Sequence, residues 1–200
     1  MRPPYLLSSG PAGTLTQLSV MWDNLSADTR RLREIKSKPA PWYVLESLLF
    51  ENGYQAVVLH RLAHWFKSHG VPVLGPAIAR WNHFLTGVDI APAARIGPGL
   101  RIAHGTGIVI GNAVEIGSGC LLMHSVTLGA PTLSRIGDMP KLGDRVTVGA
   151  QASIIGPVTV GDDVFVGAHA LVTRDVPAGS LVVARIELEI RPSRGPAPSA

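Results

Sequence analysis

Two rhythms of apolar residues divide the chain near residue 88. Before it, aliphatic and aromatic residues recur three and four apart, the spacing that gives a helix one buried stripe. "SADTRRLREIK" offers Ser26 or Asp28 as an N-cap, a side-chain oxygen that accepts a first-turn N–H. "YVLESLLF" and "YQAVVLHRLAHWFKSHG" carry the helical spacing onward, with Gly70 as a stop, and "LGPAIARWNHFLTG" predicts a further helix. The opening residues are rich in Pro, Gly, Ser and Thr and read as loose.

From Asp89 the period becomes six. Ile90, Ile96 and Ile102 form one run; Ile110, Ile116, Leu122 and Leu128 a second; Leu142, Val148, Ile154, Val160, Val166 and Val172 a third. Glycine often follows the aliphatic residue, as at 97, 111, 117, 129, 143, 149, 161 and 167. Each hexad predicts a short strand and a corner, with the aliphatic side chain pointing inward. Three hexads close a triangular coil, and coils stack at the inter-strand spacing of about 4.8 Å. The expected architecture is a parallel β-helix of roughly five coils, each burying its face only against its neighbours, with the helical half capping one end. Two breaks interrupt the phase. The step from Ile102 to Ile110 is eight, so "AHGTG" must bulge at a corner, and the step from Leu128 to Leu142 is fourteen, so "GAPTLSRIGDMPK" must leave the coil. Excursions from a solenoid tend to fall on one side and carry function.

His104 and His124 sit two residues after the rungs Ile102 and Leu122, so they are expected on adjacent coils at one edge. The other five histidines, His60, His64, His69, His83 and His169, read as surface or hydrogen-bonded residues. His60 and His64 lie four apart in "HRLAH", but the glutamate of a zinc-protease helix is missing, and "GTGIVIG" lacks the strand–turn–helix context of a dinucleotide loop.

Composition narrows the function. The net charge of +4 and pI near 9.6 would suit nucleic acid. The only basic cluster, Arg30, Arg31, Arg33, Lys36 and Lys38, is interrupted and helical, so no nucleic-acid role is expected. One cysteine, Cys120, excludes an intramolecular disulfide and fits a reducing compartment. No apolar run approaches the roughly 18–20 residues of a membrane helix, nor is there a secretory signal, which predicts a cytoplasmic protein without a membrane partner.

The residues "YQAVVLHRLAHW…DIAPAARIGPGLRIAHGTGIVIGNAVEIG…SVTLGA…PKLGDRVTVGAQASIIGPVTVGDDVFVGAHALVTRDVP" resemble the serine O-acetyltransferases, hexapeptide-repeat acyltransferases, over about residues 35–180. The resemblance implies a left-handed parallel β-helix with an N-terminal α-helical domain. It also implies a homotrimer or a dimer of trimers with active sites between subunits, acetyl-CoA as co-substrate, and no permanently bound cofactor or metal. On that pattern His104 matches the catalytic general base and Asp89 the carboxylate that orients it, while backbone N–H groups near Gly129 would meet the oxyanion. Gly129, Ala150 and Ala168 match small residues along the pantetheine path, and Arg174 and Lys141 are candidates for phosphate contacts. The implied layout is a loose segment over 1–25, helices over 26–88, the β-helix over 89–183 with loop 130–141, and a tail over 184–200.

The departures from the family concern the acceptor. Where the family has an Arg-His pair before Pro-Lys, this chain has Asp138-Met139; where an aspartate precedes the catalytic histidine it has Ala103; and a further aspartate is replaced by Lys38. An aspartate facing a substrate carboxylate at ~4 Å costs about 1 kcal/mol in water and more in a dry cleft. The expectation is therefore an acceptor of altered type, L-serine or a carboxylate-free hydroxyl such as a sugar or modified metabolite, with Arg135 able to replace the missing arginine and His124 the missing second imidazole. The C-terminus lacks the terminal isoleucine that docks relatives to cysteine synthase, which argues against that complex. Two other classes compete. A metal-dependent lyase of the γ-carbonic-anhydrase type would need a third ligand beside His104 and His124, since catalytic zinc takes three protein ligands. A non-catalytic assembly or regulatory homologue would have no need of Asp89 and His104.

Overall fold

The computed structural model describes residues 14–33 and 40–185. Four helices come first: α1 (Thr14–Arg33), α2 (Ala40–Phe50), α3 (Asn52–Ser68) and α4 (Leu74–Thr86). α1 begins twelve residues before the expected cap at Ser26, so the loose segment over 1–25 is corrected from Thr14 onward. The apolar residues Leu15, Leu18, Trp22, Leu25 and Leu32 already follow the helical spacing. Asp28, expected as a cap, is instead a buried residue of the helix interior. α4 stops where Gly87 takes a left-handed conformation (φ 71°) and its N–H donates to the His83 carbonyl.

The remainder is a triangular parallel solenoid. Its first face stacks Asp89–Ile90, Val109–Ile110, Thr127–Gly129, Ser153–Ile155 and Leu171–Val172. The second stacks Arg95–Ile96, Glu115–Ile116, Lys141–Leu142 and Thr159–Val160, and the third Arg101–Ile102, Leu121–Leu122, Thr147–Val148, Phe165–Val166 and Leu181–Val182. Every hexad aliphatic is a rung of the interior, paired in register with the rung above, as in Ile102↔Leu122↔Val148↔Val166. Ile90, Ile110, Leu128 and Ile154 are at most 1% exposed on one face, each side chain contributing roughly 1.5–3 kcal/mol of hydrophobic stabilisation. Cys120 lies in the same core, where burial pushes its thiol up to about 11 and leaves it inert.

The helices close the first coil through a buried ion pair. Arg61 on α3 binds Asp28 on α1 (Nε to Oδ2, 3.0 Å), and its other nitrogens donate to the carbonyls of Ile96 and Gly97. Asp28 Oδ1 in turn accepts the N–H groups of Gly99 (2.8 Å) and Leu100 (3.0 Å). Burial pushes the Asp28 carboxyl up, while Arg61 and the two N–H groups pull it back. His64 Nδ1 meets the Pro92 carbonyl at 2.8 Å beside fully buried His60, and burial holds both imidazoles below their usual range.

Candidate active site

The chemistry gathers at the corner where the third face turns onto the first. In the upper coils this corner is regular, the third residue past each rung adopting positive φ: Ser125 (56°), Gln151 (60°) and His169 (60°). The first coil differs. Its equivalent residue is Gly107 (φ 73°), and His104, two residues past Ile102, is itself left-handed at φ 55°. That conformation costs a non-glycine residue about 1–2 kcal/mol and is a recurrent mark of functional sites. The two extra residues of "AHGTG" are thus accommodated by a bulge that turns on His104.

Hydrogen bonds define the column above it. Ser125 N–H donates to the Thr106 carbonyl (2.8 Å), Gln151 N–H to that of His124 (3.0 Å), and His169 N–H to that of Ala150 (2.9 Å). His124, Ala150 and Ala168 therefore share one edge, each one coil above the last, and the bulge sets both His104 and Thr106 against His124. The two imidazoles lie 6.5 Å apart between centroids and meet edge to face at 77°. His104 is exposed, His124 is half-buried, and the buried Nδ1 of His124 has no partner among the described residues. Asp89 reaches the same corner: it opens the first-face strand, and its N–H donates to Ile108. Its carboxylate makes no hydrogen bond to His104 among the described residues, so within one chain the expected orienting contact is open.

A cleft of about 290 Å³ opens beside His104, between the helices and the first coil. Its walls come from α1, the α2–α3 junction and the strand Arg101–Ile102, and include Glu51, Tyr54, Arg101 and Ala103. Gly53 sets the gap, because a Cβ there would lie 2.2 Å from the Ile102 carbonyl oxygen. Asn52 Nδ2 ties the same turn to the Thr86 carbonyl (3.2 Å) and to Thr106 Oγ1 (3.4 Å) on the bulge. Tyr54 OH bonds Thr29 Oγ1 at 2.7 Å. Of this wall the sequence reading named only Ala103, beside His104 itself; Glu51, Tyr54 and Arg101 escaped it, because contacts between helix and coil leave no periodic trace.

The loop residues depart from expectation. Arg135 Nε binds Asp138 Oδ2 at 2.6 Å, so the guanidinium expected to replace a lost arginine is already held, and the aspartate expected to repel a carboxylate is already neutralised. Met139 is no substrate contact within this chain; it is 8% exposed and plugs the interior against Gly111. Its thioether fills the space a Cβ at 111 would need. Lys141 Nζ pairs with Glu115 (3.3 Å) on the second face, away from the histidine corner. Gly129 and Arg174 lie at the corner between first and second faces, so the first face separates them from Ala150 and Ala168. Lys38 falls outside the described residues.

Comparison with known proteins supplies the family. The bacterial transferase hexapeptide (six repeats) model matches residues 139–174. A serine acetyltransferase of Synechococcus elongatus is 40% identical over 82% of this chain and 66% of its own length. One from Helicobacter pylori is 41% identical over 76% of this chain and 88% of its own. The crystal structure of Neisseria gonorrhoeae serine acetyltransferase in complex with serine superposes with a TM-score of 0.74 at 32% identity, covering 86% of this chain and 70% of that one. The solenoid is thus the left-handed β-helix of these enzymes, and the chain, which spans about two thirds of the Synechococcus relative and most of the Helicobacter one, belongs to the serine acetyltransferase family.

Proposed function

We propose that this protein transfers the acetyl group of acetyl-CoA to the hydroxyl of L-serine, with His104 as general base. The observation that carries the reading is the placement of His104, on a left-handed bulge between the cleft and the foot of the column His124–Ala150–Ala168. An acceptor in the cleft presents its hydroxyl to the imidazole from one side. The thioester arm descends the column from the other, where methyl groups let it lie close to the backbone. His104 takes the hydroxyl proton as the oxygen attacks the thioester carbonyl. The tetrahedral intermediate then expels the CoA sulfur, which receives that proton, so the products are an O-acetyl ester and free thiol. General-base catalysis of this kind is typically worth ~10²–10⁴-fold, and imidazole suits it because its ordinary pKa lies near neutrality.

The acceptor assignment to serine follows the relatives and the pairing of Asp138 with Arg135, which removes the electrostatic objection to a carboxylate. A sugar acceptor has no support among those relatives, and neither a lyase nor a purely regulatory role is favoured. Acetyl-CoA acts as co-substrate, and no resident cofactor is required. Gly129 and Arg174 lie across the first face from the histidines, so they reach the donor only if a neighbouring copy supplies them. This fits an assembly with sites between subunits, in which Asp89 would also close onto an imidazole. Among the described residues no helix is long and apolar enough to cross a membrane.

Thiol release from acetyl-CoA in the presence of L-serine tests the reading. The chain should turn over, and His104→Ala should lower kcat/KM by about 10²–10⁴-fold. Absence of serine-dependent release, or full activity of the variant, would overturn it.

A further inference from the structure

His104 keeps a left-handed backbone that a histidine adopts only where its surroundings enforce it. The backbone hydrogen bonds around it run from Thr106 N–H to the His104 carbonyl (2.6 Å), from Gly107 N–H to that of Gly87 (2.9 Å) and from Ser125 N–H to that of Thr106 (2.8 Å). Among the described residues a single side-chain hydrogen bond reaches the bulge, from Asn52 Nδ2 to Thr106 Oγ1 (3.4 Å). The same nitrogen donates to the Thr86 carbonyl (3.2 Å). A carbonyl can only accept, so it fixes which way the amide faces, and the two hydrogens of Nδ2 serve two partners. Both partners lead to the chemistry. Thr106 lies two residues beyond His104, and Thr86 ends α4 three residues before Asp89. Thr86 is itself locked: its Oγ1 donates to the Asn82 carbonyl (2.7 Å) and accepts the Val88 N–H (3.2 Å), while Asn82 Nδ2 donates to the Ala56 carbonyl on α3 (3.0 Å). Asn82 and Thr86 are buried, whereas Thr106 is exposed. Thr86 is therefore the fixed end of the bridge, and Thr106 the end that Asn52 restrains.

We infer that Asn52 is a positioning residue of the reaction, holding the His104 bulge in place against the segment that leads into Asp89. This rests on the reading of His104 as general base and names the side chain that aims it. Asn52 acts through Thr106 and contributes no group to the proton transfer. Its neighbour Gly53 sets how closely α3 approaches the first coil, and Asn52 sets where the bulge stands within that approach. A base displaced by a fraction of its working distance still faces a bound substrate but takes the proton more slowly. Loss of the bridge therefore falls on kcat and spares KM.

The test is a double-mutant cycle in the thiol-release assay, with folding of each variant checked by circular dichroism. Asn52→Ala and Thr106→Val should each lower kcat on the order of 10-fold, with KM for acetyl-CoA and L-serine near wild type. Thr106→Val placed on Asn52→Ala should cost nothing further, because the link it removes is already gone. Thr106→Ser, which keeps the hydroxyl, should retain most of the wild-type kcat. Wild-type kcat in Asn52→Ala, losses that multiply in the double variant, or a Thr106→Ser protein as slow as Thr106→Val would overturn the inference and leave His104 as the base. Full activity of His104→Ala would overturn the assignment of the base, and this inference with it.

Discussion

Gly53→Ala sets two opposed effects against each other, and the structure decides between them. Gly53 lies in the first turn of α3, and on helix propensity alone alanine should stabilise that turn by up to about 1 kcal/mol. The new methyl, however, would stand 2.2 Å from the Ile102 carbonyl oxygen and 3.0 Å from its carbon. Carbon–oxygen contacts are comfortable from about 3.3 Å, so helix and coil must part by roughly 1 Å. α3 cannot retreat freely, because Arg61 on the same helix is fixed to Asp28 and to the carbonyls of Ile96 and Gly97. The strain therefore falls on Ile102–His104. Overpacking of this kind costs about 1–3 kcal/mol, which outweighs the propensity gain, and a chain of this size loses about 2–4 °C of Tm per kcal/mol. Misplacing the base by 1 Å can cost on the order of 10²-fold in rate. Thermal unfolding and thiol release should accordingly both fall, while Gly137→Ala, at a site with nothing within 4 Å, should change neither. A Gly53→Ala protein as stable and as active as wild type would refute the close-packed wall and the dependence of His104 on it.

Other consequences are equally direct. Asp28→Asn leaves Arg61 buried without its counter-charge and should cost about 3–5 kcal/mol in urea unfolding. Stability should also depend on pH through His60 and His64. Both are held below the ordinary imidazole range, so below about pH 6.5 the unfolded chain binds protons that the folded chain refuses. Stability is then complete above that pH and falls as pH drops, with a slope approaching ~1.4 kcal/mol per pH unit for each histidine; a flat profile between pH 7 and 5 would contradict it. Met139→Ala should open a cavity and destabilise the fold by about 2–5 kcal/mol, leaving KM for serine near wild type. His124→Ala should reduce kcat if its half-buried imidazole assists at the reacting centre, and unchanged turnover would remove it from the mechanism.

Much of the solenoid is legible in the sequence because its core repeats. A rung every six residues survives any local substitution among aliphatics, and the eight-residue step at His104 announces the bulge by breaking that count. The stacking of His104 and His124 follows from the same arithmetic, whereas Ala150 and Ala168 entered by resemblance and join His124 in one column only in the structure. What escapes is whatever lacks a period. Asp28 and Arg61 are thirty-three residues apart, so nothing local links them, and Asp28 by itself reads as a cap. Met139 sits in a loop with no phase to mark it as inward, although the missing side chain at Gly111 is its complement. Arg101 looks like any exposed strand residue until the helices are laid beside it. The start of α1 was obscured by the Pro- and Gly-rich residues before it, although its leucines keep the helical interval.

A β-helix has two open ends, and each end is a triangle of unpaired backbone groups able to template another chain. At the first coil that hazard is met by side chains. Arg61 covers the carbonyls of Ile96 and Gly97, Asp28 the N–H groups of Gly99 and Leu100, and His64 the carbonyl of Pro92. One ion pair thus serves as the terminus of the solenoid, doing for a stack of coils what a capping residue does for a helix. Growth of the stack by end-to-end addition is blocked on this side, and proteins lacking Asp28 should polymerise before they lose their coils.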